Sequence, residues 1–167
     1  MLKAMTISSL NMDSVTNSPI IILKEIDGEQ TLPIWIGLLE ATAIASEIEG
    51  VKFSRPMTHD LLKNILDNTD SKIEKIEICD LKDNTFYAYI HLTSRGNTIS
   101  IDSRPSDAIA LALRAHVPIF VSEEVLKKSK TIEKIKEDKP FDSNEKEKRW
   151  LDVLEKLKPE DFGKYKM

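Results

Sequence analysis

The chain has 167 residues, 41% of them hydrophobic and 31% charged, with a formal net charge of −4. That is enough apolar material for the core of one domain with a modest appendage, and no apolar run approaches bilayer-spanning length, so membrane partners are not expected. The acidic balance argues against a tight duplex-DNA binder, which carries a basic excess, but not against an enzyme that must release its product.

Leu2 to Leu10 alternates loosely and reads as a strand. Pro19 to Glu25, rich in isoleucine, reads as a second. Asp27-Gly28 is a strong turn signal, so Thr31 to Ile36 is read as the return arm of a hairpin. Leu38 to Glu49 is a predicted helix with Ala41, Ala43, Ile44, Ala45 and Ile48 on its apolar face, and Gly50 fits the position just past its end. Thr58 to Asn68 is a second helix, with Leu61, Leu62, Ile65 and Leu66 in one stripe. Ile73 to Leu81, Thr85 to Thr93 and Thr98 to Ser103 then form three strands turned by Asp83-Asn84 and by Arg95-Gly96-Asn97, an antiparallel meander. Ile99 and Ile101 face one way on the last of them.

Ser106 to Ala115 reads as a helix with almost no polar face, which belongs inside the domain or at a subunit contact. Val117 to Val121 is a short buried strand, and Ser122 starts a further helix. The expected fold is therefore α+β: a mixed, largely antiparallel sheet, made of a hairpin plus a three-stranded meander, packed with three to four helices. Residues 1–130 form the domain, 131–143 a charged linker and 144–167 a helical tail in which Trp150, Val153, Leu154 and Leu157 fall at helical spacing.

Cys79 is the only cysteine, which rules out an intramolecular disulfide, and a thiolate zinc site needs more such ligands. Its neighbours Ile76, Ile78 and Leu81 suggest a buried strand thiol. Met1 to Thr6 lacks a long apolar stretch, so no secretory signal and a cytoplasmic, reducing setting are expected.

One motif occurs twice. Arg55-Pro56-Met57-Thr58-His59-Asp60 precedes one helical pattern and Arg104-Pro105-Ser106-Asp107 precedes another. Each sets an arginine, a proline, a hydroxyl and an aspartate where unpaired backbone N–H groups and a positive helix dipole favour anions. At the first, Thr58 is a candidate N-cap, Asp60 complements the dipole, and His59 is placed for proton transfer or metal ligation. At the second, Ser103 or Ser106 can cap and Asp107 faces the dipole, while Asp102 ends an alternating strand. Brought together, Asp60, Asp102, Asp107 and Glu40 would be a hard-oxygen set suited to Mg²⁺ or Mn²⁺, and Arg55 and Arg104 would grip phosphate, with Thr58 and Ser106 beside them. The bland reading is that the hydroxyls cap, the aspartates complement the dipoles and the arginines pair with carboxylates. Glu49 lies two and a half turns from Glu40 and faces another way. Walker A, GxGxxG, GxSxG and HExxH motifs are absent, and His91 and His116 read as structural or surface residues without polar company.

A longer series of elements carries a resemblance. Leu32-Pro33-Ile34-Trp35-Ile36-Gly37, Glu40-Ala41, Ala43-Ile44-Ala45, Glu49-Gly50, Arg55-Pro56, Thr58-His59-Asp60-Leu61-Leu62, Thr85-Phe86-Tyr87-Ala88 and Ile101-Asp102-Ser103-Arg104-Pro105-Ser106-Asp107-Ala108-Ile109-Ala110-Leu111 closely resemble the bifunctional nuclease family. The likeness runs unbroken over roughly residues 1–130. It implies a mixed α+β domain that cleaves both DNA and RNA, and it singles out His59, Asp60, Asp102, Arg104 and Asp107. Residues 131–167 do not clearly show the UvrB/UvrC-like motif that some relatives carry.

Three uses fit these residues. The first is a nuclease, metal-assisted by Mg²⁺ or Mn²⁺ and binding nucleic acid transiently. The second is a non-enzymatic, regulatory module, a homodimer or higher homo-oligomer, in which the Arg-Pro motifs are structural. The third is a small-molecule binding domain using the same cleft.

Overall fold

The computed structural model describes residues 1–136, with side chains through Lys130, and Lys156 in helical conformation. In chain order the elements are β1 (Leu2–Met12), β2 (Pro19–Glu25), β3 (Thr31–Trp35), α1 (Leu38–Ile48), α2 (Thr58–Asn68), β4 (Ser71–Lys82), β5 (Thr85–Ser94), β6 (Asn97–Ser103), α3 (Pro105–Ala115), β7 (Ile119–Ser122) and α4 (Glu123–Lys136). The hairpin and the meander both form, and β7 slots between them. One seven-stranded sheet results, ordered β3-β2-β1-β7-β4-β5-β6. Every pairing is antiparallel except β4 with β7. The α+β architecture expected from the sequence is what the chain adopts. No helix among the described residues is long and apolar enough to cross a membrane.

Local chemistry explains the tight turns. Asp83 and Asn84 both have positive φ, 48° and 59°, as do Arg95 and Gly96, 48° and 79°. Two successive left-handed residues make the primed turn whose twist matches that of the strands it joins. His116 closes α3 in the left-handed conformation at φ 53°, which delays β7 to Ile119, two residues later than the sequence suggested.

The core lies between the sheet and the helices. Ile76 and Ile78 of β4 stand in register with Ile119 and Val121 of β7 and with Ile90 and Ala88 of β5, all buried. α3 rests on β4 and β5 and is flanked by α1 and α2. Its residues Ala108 to Ala112 are buried, so the all-apolar helix sits inside the domain. Ala41 and Ala45 of α1 are buried too, and α1 and α3 pack directly on each other. Truncating a core side chain such as Ile76 to alanine would cost about 2–5 kcal/mol.

Three expectations need correcting. In α2 only Leu66 packs on the core; Leu61, Leu62 and Ile65 are exposed. Cys79 is only half-buried, because it sits at the register shift between Ile78 and Asp80 where the strand face is not shielded. α4 continues through Lys136, into the stretch read as linker, and Lys128 ties it to Asp80 at 2.7 Å. Residues 137–155 and 157–167 lie outside the described residues, and with them the rest of the linker and most of the tail, including Trp150, Val153, Leu154 and Leu157.

Candidate active site

The two Arg-Pro motifs meet. The N-termini of α2 and α3 border one open cavity of about 610 Å³, closed on its other sides by α1 and the end of β6. Glu40, Thr58, His59, Asp107 and Arg104 line it, with Leu39, Phe53, Met57, Leu62 and Ile101 as apolar wall.

Asp107, in the first turn of α3, is its hub. His59 Nε2 lies 3.0 Å from Asp107 Oδ1. Arg104 donates from Nε to Asp107 Oδ2 at 2.7 Å, from Nη2 to Oδ1 at 3.2 Å, and from Nη1 to Glu40 Oε1 at 2.6 Å. Partial burial pushes the Asp107 carboxyl up, but the bonds from Arg104 and His59 outweigh it and leave the pKa below the ordinary value. Its bonds to Asp107 raise the Arg104 guanidinium in turn. The Arg104 side chain is nevertheless 64% exposed, and only three of its five N–H donors are engaged. The cluster sets one guanidinium against two carboxylates and is still open to solvent.

Asp60 has a different partner. Arg114 Nε donates to Asp60 Oδ1 at 2.6 Å, and Arg114 Nη1 donates to the carbonyls of Ala43 and Ala110 at 3.1 and 3.0 Å. The Arg114 side chain is only 6% exposed. The backbone N–H of Met57 donates to Asp60 Oδ2 at 2.9 Å, so Asp60 also closes the start of α2. Burial raises the Asp60 carboxyl, yet Arg114 and the Met57 N–H prevail and its pKa is lowered.

Several residues take places the sequence did not assign. Met57, not Thr58, is the N-cap of α2. Arg104 is the N-cap of α3 and no side chain caps that helix. Ser106 is buried and borders a separate, smaller cavity. Ser103 Oγ is buried without a hydrogen-bond partner among the described residues. Arg55 is exposed, is not part of the cavity wall, and has no ion-pair partner among the described residues.

Asp102 is turned away. Its neighbours Ile101 and Ser103 pair in register with buried Ile90 and Ala88, on the helix side of the sheet. Asp102 pairs with Tyr89, which pairs with Glu77, so its strand position borders the cavity while its side chain belongs to the opposite face. The half-buried Cys79 thiol, raised mainly by burial, is raised further by the charges of Glu77, Asp80 and Asp102. His91 lies in that row as well. It meets Ser100 Oγ at 2.8 Å and Glu77 Oε2 at 3.0 Å, so it does have polar company, supplied by the two neighbouring strands.

The expected hard-oxygen set is therefore not assembled. Asp107 and Glu40 are bridged by Arg104, Asp60 is held by Arg114, and Asp102 projects from the far face. Among the described residues no group of three or more His, Cys, Asp or Glu is arranged to hold a metal ion. A guanidinium already hydrogen-bonds each cleft carboxylate, and these ligands do not fit a divalent cation as they stand. A larger cavity of about 730 Å³ at β1 offers less chemistry, since Glu49 is its one titratable side chain.

A family model described as the bifunctional nuclease domain matches residues 21–134, a span that holds Glu40, His59, Asp60, Arg104, Asp107 and Arg114. An uncharacterized protein of Mycobacterium tuberculosis is 35% identical over 156 residues, 92% of this chain and 93% of that protein. Bifunctional nuclease 2 of Oryza sativa subsp. japonica is 30% identical over 115 residues, 66% of this chain and 35% of that protein. Bifunctional nuclease 1 of Arabidopsis thaliana is 28% identical over 109 residues, 63% of this chain and 34% of that protein. The chain thus aligns with about a third of each plant relative.

Proposed function

The chain belongs to the bifunctional nuclease domain family, and from that premise we propose that it hydrolyses phosphodiester bonds of DNA and RNA in the cleft between the mouths of α2 and α3. One observation supports this most directly: a histidine oriented by a carboxylate stands beside an exposed arginine in an open cavity.

With Asp107 ionised, its oxygen accepts the His59 Nε2 proton, and Nδ1 is the nitrogen left with a lone pair. His59 then takes a proton from the attacking water and returns it to the leaving oxygen. Arg104 turns its two unengaged N–H donors to the phosphate oxygens, where the added negative charge of the transition state strengthens the contact. The apolar wall of Phe53, Met57 and Leu62 offers an unstacked base a surface out of water. The net charge of −4 suits transient rather than tight nucleic-acid binding. No step runs through a cation, because the carboxylates that would hold one are occupied by arginines.

The test is cleavage of single-stranded DNA and RNA oligonucleotides by protein purified to homogeneity. His59→Gln and Asp107→Asn are expected to lower the rate by about 10²–10⁴-fold each. Undiminished cleavage by both variants would remove these residues from the chemistry.

A second reading is supported by the bridge of Arg104 between Asp107 and Glu40. In it the ion pairs only hold α1 to α3, and the domain is a non-enzymatic module. Arg104→Ala would then lower the melting temperature markedly and change no rate.

A further inference from the structure

We propose that two copies of this chain pair through β6, antiparallel about a two-fold axis at Ser100, to extend the sheet across both molecules. β6 is an edge of the sheet, and every residue from Asn97 to Asp102 is exposed. Edge strands normally carry proline, lysine or a bulge that prevents pairing with another chain. The opposite edge, β3, contains Pro33. β6 has neither proline nor lysine, and its register with β5 runs without a shift from Ala88↔Ser103 to Ser94↔Asn97.

The strand is also complementary to itself. A two-fold axis at Ser100 sets Ile99 opposite Ile101 of the second copy and Ile101 opposite its Ile99. Thr98 meets Asp102, and Asn97 meets Ser103. The one charge in the strand faces a hydroxyl and never its own copy, whereas like charges directly opposed would be destabilising.

The apolar surface fits the same occupant. Ile99 and Ile101, 42% and 45% exposed, lie on the helix side of the sheet. An axis perpendicular to the sheet keeps both helix layers on that side. It clusters four isoleucines at the seam, beside the exposed Leu62 of α2 that shares a cavity with Ile101. Leu62 and Ile101 are walls of the His59 cavity, so the second copy stands at its rim.

Sedimentation of the full chain and disulfide trapping test the proposal. The wild type is expected at twice the 19.0 kDa chain mass. Ile101→Lys, at a half-exposed position, is expected at the single-chain mass with its cooperative melt retained, its dissociation constant raised at least a hundredfold. In a Cys79→Ser background, Ser100→Cys is expected to cross-link on mild oxidation. Directly opposed residues in an antiparallel pair have Cα atoms about 4.5–5.5 Å apart, within the range a disulfide spans. Glu29→Cys, at the other end of the sheet, is expected to give no cross-link in the same background. A single-chain mass for the wild type would overturn the proposal, leaving the strip to another protein. A dimer that neither cross-links at Ser100→Cys nor dissociates in Ile101→Lys would place the contact elsewhere and overturn it equally. Neither outcome bears on the nuclease reading, which needs only one chain's cleft.

Discussion

Arg114 near the end of α3 and Asp60 in the first turn of α2 are 54 residues apart and joined by a 2.6 Å hydrogen bond. Because the guanidinium is buried and also binds the carbonyls of Ala43 and Ala110, a single side chain fastens α2, α1 and α3 together. It fixes the mouth of α2, and with it His59, next to Asp107.

Arg114→Met should therefore be the most damaging single change around the cleft. Breaking a buried ion pair by removing one partner costs about 3–5 kcal/mol. Asp60 is a third exposed, and solvent screening reduces the expected loss to about 2–3 kcal/mol. At about 2–4 °C per kcal/mol for a chain of this size, calorimetry should show the midpoint fall by roughly 4–12 °C. Arg114→Lys should recover little, because an ammonium cannot reach Asp60 and two carbonyls in the same plane.

Arg104 should behave in the opposite way. It is mostly exposed, so its pairs with Asp107 and Glu40 contribute about 0–1 kcal/mol to stability. Arg104→Ala should leave the melting temperature nearly unchanged. It should lower cleavage at least ~10-fold, since each charged hydrogen bond lost to phosphate costs about 1.5–3 kcal/mol. Arg55→Ala, at an exposed position off the cavity wall, should change both little.

Acid should loosen the α2–α3 junction. Asp60 and Asp107 both have folded pKa values below their ordinary ones. The stability each contributes is complete above the unfolded value of about 4 and is lost as pH falls through the lowered folded value. The gap in melting temperature between wild type and Arg114→Met should thus be constant at neutral pH and narrow as pH drops from about 5 to about 2. A gap that holds constant down to the acid limit would show that Asp60 is not the group Arg114 serves.

Chelation discriminates the chemistry. With each cleft carboxylate engaged by an arginine, EDTA should leave the cleavage rate of the purified protein unchanged. Loss of activity with EDTA, restored by Mg²⁺ or Mn²⁺, would return Asp60, Asp107 and Glu40 to metal ligation.

Much of this architecture could be read from the chain, because its causes are local. Asp83-Asn84 and Arg95-Gly96 dictate their turns, and the alternation of Ile99 and Ile101 already sets Asp102 on the other face. Treating Asp102 as a partner of Asp60 overlooked that alternation. The insertion of β7 between β1 and β4 was hidden, since a parallel pairing between Ile76 and Ile119 leaves no local trace. His91 is similar: its partners are defined only by strand register. Arg114 did leave a signal, as the lone cation in a helix of alanine and leucine. Such a side chain, buried, must find an anion, and the first Arg-Pro motif, distant along the chain, held one in Asp60.

β7 has a consequence for biogenesis. It is the middle strand of the sheet yet, among the described strands, the last to leave the ribosome. Until Ile119–Ser122 is synthesised, β1 and β4 are raw borders of two unjoined halves. Nascent chains stalled before that point present sticky backbone on both halves, and a chaperone would be needed there more than at any later stage of synthesis.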